Sequence, residues 1–93
     1  MISANVAKQL TQDAIDEEVK EVLTSIEQMI ESTAEHYNNE VKIYCHTDSV
    51  IDSMVREELT KAGFELAGFG SSGNGDEFYF VMWELDSKYT NGG

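Results

Sequence analysis

The chain has 93 residues, 41% of them apolar, which predicts one domain with a modest core of the kind that oligomerisation often supplements. Eighteen acids against six bases give a formal charge of -12, which argues against polymeric nucleic acid or a membrane surface as partner, because binding to phosphate backbones depends on Lys and Arg. One cysteine excludes an internal disulfide. With no basic and then apolar leader after Met1, and no apolar run near the ~18 residues of a membrane span, a soluble protein of a reducing, intracellular compartment is expected.

In chain order, residues 1–11 read as a lead-in. Thr11 is a candidate cap for a helix over residues 12–37, with Asp13, Asp16, Glu17 and Glu18 near its positive end. Ile15, Val19, Val22, Ile26 and Met29 are spaced alternately by four and three, with Leu23, Ile30 and Tyr37 in a flanking row. The stripe is wide enough to cover a sheet and still meet a second copy. Val19, Val22, Ile26, Met29 and Ile30 are therefore the candidate residues of a homo-oligomer interface. Glu27, Glu31 and Glu35 form an acidic ladder that is either a solvated face or a dock for a basic partner.

Asn38-Asn39 suggests a turn, and residues 41–46 alternate as a strand. Val41, Ile43 and Cys45 share one face, and Lys42, Tyr44 and His46 the other. Thr47, Asp48 or Ser49 caps a second helix with the apolar row Ile51, Met54, Val55, Leu59, Ala62. Gly63 reads as its left-handed stop, with Phe64 folding back on Leu59. Residues 64–69 form a second strand, Gly70–Gly75 a loop, residues 77–85 a third strand, and residues 86–93 a frayed tail.

This order predicts an α+β fold: a long N-terminal helix followed by a β-α-β-β unit over residues 41–85. The first two strands flank a helix, so they should run parallel, with the third returning antiparallel. That third strand is apolar on both faces, with Tyr79, Val81, Trp83 and Leu85 on one and Phe78, Phe80 and Met82 on the other. Such a strand is usually central, so the expected product is a three-stranded mixed sheet in order 1-3-2, with helices on one face. Nothing remains in the chain to cover the opposite face, which leaves it to a ligand or another subunit.

The glycine loop has the composition of a phosphate cradle without the helix or the Lys-Ser/Thr of one, so it is either a flexible hairpin loop or a nest in which Ser71, Ser72 and Asn74 bind phosphate. Tyr44, Tyr79 and Trp83 are candidate stacking residues, since Tyr and Trp suit sites with one wet edge. Lys42, His46 and Arg56 complete the ligand-binding candidates. Catalysis is not expected: Cys45 and His46 are adjacent on a strand and point apart, and no metal-ligand spacing or cofactor motif occurs.

The opening Ala4-Asn5-Val6-Ala7-Lys8-Gln9-Leu10-Thr11, the amphipathic helix, the strand 41–46, the ending Lys61-Ala62-Gly63-Phe64 and a hairpin closing at Trp83-Glu84-Leu85 together resemble a group of small proteins encoded by tailed bacteriophages. The resemblance spans nearly the whole chain and is one of layout, with no diagnostic motif. It is associated with the anti-CBASS cyclic-nucleotide sponges. It implies a cytoplasmic protein of the infected bacterium that binds a cyclic oligonucleotide, such as a cyclic dinucleotide, without cleaving it, and so starves a defence effector of its signal. Two other readings stand beside it: an acidic, DNA-mimicking inhibitor of a host nucleic-acid enzyme, and a small structural or assembly protein.

Overall fold

The computed structural model describes residues 1–90, so the end of the expected tail, residues 91–93, lies outside the described residues. The architecture is α+β. Helix α1 (Ala4–Glu35) leads to strand β1 (Glu40–Tyr44), helix α2 (Ser49–Lys61), strands β2 (Glu65–Ser71) and β3 (Glu77–Met82), and a single 3-10 turn at Ser87–Tyr89.

The sheet order is β1-β3-β2, with β3 antiparallel to both neighbours. β1 and β2 therefore run in the same direction without touching, so the sheet is mixed in strand direction and wholly antiparallel in its hydrogen bonding. Valine 81 and Tyr79 show why β3 is central. Paired with Val41 and Ile43 across β1, they lie at 0% and 1% exposure under both helices. Val19 and Ile26 of α1 and Ile51, Val55 and Leu59 of α2 complete that core.

α1 begins eight residues before the position expected from the sequence. Ser3 rather than Thr11 is its cap, accepting from the Val6 amide at 3.3 Å, while Thr11 Oγ1 instead donates back to the Ala7 carbonyl. Its 32 residues span about 48 Å, in a molecule 63 Å in its longest dimension. Residues 4–14 are all exposed. The lead-in is thus a helical arm running on past the core, where the row that would face the sheet turns polar at Asn5, Lys8 and Gln12.

The packed half of α1 uses the stripe once assigned to an oligomer. Val19 and Ile26 are buried, and Val22 and Ile30 pack partly buried against the same core, so these four make contacts within the domain. Met29, 47% exposed, is the one member of that set left facing outward.

Both helices end in the same hydrogen-bond pattern. At α2, the Gly63 amide donates to Thr60 and the Phe64 amide to Leu59, with Gly63 at φ +100°. At α1, the Tyr37 amide donates to Ala34 and the Asn38 amide to Thr33, with Tyr37 at φ +67°. These are Schellman turns, which need a left-handed residue after the cap, and glycine fills that position without strain. Tyrosine does not.

Strand β2 runs two residues further than expected and carries a bulge. Ala67 pairs with Phe80 and Gly70 with Phe78, so Gly68 and Phe69 together face Tyr79. Gly68 at φ +67° is the left-handed residue that makes the bulge. Gly70 and Ser71, expected in the loop, are part of this strand.

Candidate functional site

The sheet face turned away from the helices carries Phe78, Phe80 and Met82 of β3, flanked by Lys42 and Tyr44 of β1. Its floor is made by two glycines. A Cβ on Gly68 would stand 2.7 Å from the Phe80 ring, and one on Gly70 would stand 2.9 Å from the Phe78 ring. The glycines thus let the two rings lie down across β2. Phe78 and Phe80 meet edge to face at 5.9 Å, and Tyr44 meets Phe78 at 6.3 Å. Lys42 Nζ sits 4.1 Å from the centre of the Phe78 ring and 5.3 Å from that of Tyr44. Among the described residues Lys42 has no carboxylate partner, so these rings are its principal attraction. Tyr44 remains 57% exposed, an open ring beside a cation.

A polar cluster lies on the helix side of the sheet, against Tyr79. Asp52 is buried at 5% exposure, accepts from the His46 amide at 3.0 Å and holds Arg56 at 2.6 Å. The Arg56 guanidinium lies 5.9 Å from the Phe69 and Tyr79 ring centres, and its Nε is buried with no hydrogen-bond partner. The bulge at Gly68 is what delivers Phe69 to this place, 6.0 Å from Tyr79. A cleft of about 380 Å³ opens here between Arg56, Phe69, Ser71, Glu77 and Phe78. Burial, with Asp52 second, pushes the Tyr79 hydroxyl up to about 12, and the same two causes in the same order raise the Cys45 thiol. Both shifts favour the neutral forms.

The structure sorts the sequence candidates into three places. Lys42 and Tyr44 flank Phe78 on the open face, whereas Arg56 stays on the helix side against Phe69 and Tyr79, in the cleft that Ser71 also lines. His46 does not share the face of Tyr44 as alternation implied. The chain leaves the strand after Tyr44, and His46 turns to α1, with Nε2 3.5 Å from Glu18 and Nδ1 accepting from the Asp48 amide. Asp48 is the true cap of α2, holding the Val50 and Ile51 amides.

Ser72 and Asn74 lie in the β2–β3 turn, where three amides are bonded internally. Ser72 donates to Asp76, Gly75 to Ser72, and Asn74 to the Ser72 hydroxyl. The neighbouring cavity of about 460 Å³ is lined in part by Asp76 and Glu77, whose charge disfavours a phosphate there. Tyr79 is core and presents no surface to a ligand. Trp83 sits at the far end of the molecule, edge-on to Phe64 at 6.1 Å, with its backbone tied to Asn39.

No protein-family model, curated protein or solved structure matches this chain.

Sequence reasoning passed over Asp52, Phe69, Phe78 and Phe80 as site residues. The Asp52–Arg56 spacing of four on a helix was a legible sign of their pairing. Phe69 had no such sign, since its position depends on the bulge. Among the described residues, no cluster of His, Cys, Asp and Glu is arranged to hold a metal ion, and no helix is long and apolar enough to cross a membrane.

Proposed function

We propose that this is a non-catalytic binding protein that sequesters a cyclic oligonucleotide signal on the open face of its sheet. The observation that carries the reading is the half-exposed Tyr44 ring beside Phe78, with the Lys42 ammonium 4.1 Å from the Phe78 centre. A purine stacked on Tyr44 gains roughly 1–3 kcal/mol, and this gain does not depend on a positively charged protein. Asp76 and Glu77 repel phosphate from the turn side, so the phosphodiesters run towards Lys42 instead. Screening over about 8 Å at physiological salt lets such a local patch act despite the acidic surface elsewhere.

The biological consequence follows from binding alone: a signal held by an abundant protein does not reach the effector it would activate. In an infected bacterium this is an anti-defence activity.

Titration calorimetry with a panel of cyclic dinucleotides and trinucleotides tests this. A saturable heat at micromolar protein is expected for at least one member, weakened tenfold or more by Tyr44→Ala and recovered with the ligand chemically intact. Absence of heat and of thermal shift across the panel would overturn the reading, as would recovery of a cleaved product.

A further inference from the structure

A second aromatic site lies at the opposite end of the molecule, where α1 stops. A cavity of about 320 Å³ is lined by Ala34, Tyr37, Asn38, Trp83, Leu85 and Tyr89. Three aromatic residues therefore line one space, with Tyr37 and Tyr89 on its exposed rim. Among the described residues none of the three is paired with another: Trp83 packs edge-on to Phe64. The room between the rings has not been closed by their own stacking.

The charge around this space is mostly negative, with Lys88 the one cation beside it among the described residues. α1 presents the negative end of its dipole here, after 32 aligned residues. Its last turn contains no basic residue and includes Glu35. Glu84 and Asp86 flank Leu85 on the strand-end side, both exposed. His36 caps the helix, with its Nδ1 2.7 Å from the Ser32 carbonyl. The nearest lysine in sequence is Lys88, and its ammonium rests 5.0 Å from the centre of the neighbouring Tyr89 ring, a cation–π contact.

Tyr37 supplies the second, independent observation. It occupies the left-handed position of a Schellman turn at φ +67°, with 96% of its surface exposed. The equivalent position at the end of α2 is glycine. A side chain kept in a strained backbone conformation, with no packing inside the molecule to reward it, is a sign that the ring serves something outside the molecule.

From these features we infer that the Tyr37–Trp83–Tyr89 cavity binds a quaternary ammonium group. Aromatic faces attract a methylated cation through their quadrupoles, and the helix end and acids add a negative field. The cation needs no hydrogen-bond acceptor, and the rings offer none at their faces. This ligand chemistry is opposite in charge to that proposed for the Tyr44 face, and the two sites are separate.

Trp83 is the protein's one tryptophan, so its fluorescence reports on the site directly. Choline chloride is the probe, with 3,3-dimethyl-1-butanol as the uncharged molecule of the same shape and sodium chloride matched for ionic strength. A saturable change in Trp83 emission with choline, at least tenfold weaker with the alcohol, is expected. Tyr37→Gly should weaken choline binding tenfold or more. Because that substitution relieves the backbone, unfolding does not confound it, and a melt of the same sample confirms the fold. Three results would each overturn the inference: no saturable response to choline, an equal response to the neutral alcohol, or unchanged affinity in Tyr37→Gly.

Discussion

The two helix ends have the same hydrogen bonds and opposite sequence logic. After α2, Gly63 takes the left-handed turn with nothing within 4 Å of where a Cβ would stand. After α1, Tyr37 takes the same turn with a full side chain in solvent. The first is the arrangement that minimises backbone strain. The second accepts a cost of roughly 1–2 kcal/mol for holding an L-residue there. The contrast teaches that geometry at a helix end is set by the hydrogen bonds the chain must satisfy, while the residue placed there records what else that point has to do.

Four substitutions sharpen or break this contrast, each read as a change in unfolding free energy from urea titrations. The largest effect is expected at the third left-handed position, Gly68. An added Cβ there meets both the backbone penalty and the Phe80 ring at 2.7 Å, so Gly68→Ala should destabilise by about 3 kcal/mol and disturb the open face. A loss under about 1 kcal/mol would mean that Phe80 moves aside freely and that the floor of this face is not fixed.

Gly63→Ala comes next. With no steric contact to make, it isolates the conformational term and should cost about 1 kcal/mol, net of the lower entropy of the unfolded alanine chain. Tyr37→Gly is its mirror image and should stabilise by about 0.5–1 kcal/mol for the same reason with the sign reversed. A destabilised Tyr37→Gly protein would show that the exposed ring contributes to packing and is not held against strain. The smallest effect is expected for Tyr37→Asn, which tolerates the left-handed region better than tyrosine and should recover about half of the glycine gain.

The same division between local and distant causes explains what was legible in the sequence. Gly63 was readable as a stop because its neighbours Leu59 and Phe64 stand at fixed local offsets. Tyr37 was read as part of the helix stripe, because an aromatic at seven-residue spacing carries no sign of a left-handed cap. Thr11 reads as the cap of α1 because its hydroxyl can accept there and Asp13, Asp16, Glu17 and Glu18 follow it. The helix in fact continues to Ser3 on local hydrogen bonds alone, among them Gln9 to Asp13 at 2.8 Å.

In the candidate site, Lys42 and Tyr44 were found from strand alternation, and Arg56 from the scarcity of bases. Tyr79 was chosen on the same evidence as Tyr44 and is buried instead. Alternation tells which residues of a strand share a face; it does not tell which face of one strand lies beside which face of the next. The pairing of Ile43 with Tyr79 decides that, and it puts the Tyr79 and Val81 row under the helices and the Phe78 and Phe80 row outside. The offset in β2 that brings Phe69 to Arg56 is likewise a property of pairing, since it counts two residues against one.

By itself, the sequence determined the element order, the central place of β3 and the glycine stop of α2, because side-chain periodicity and capping act within a few residues. Only the tertiary structure decided which aromatic row is core, where Phe69 and His46 point, and which part of α1 is packed and which stands free. Those outcomes depend on cross-strand register and on the match between helix and sheet, where the energy comes from burial between residues far apart in the chain.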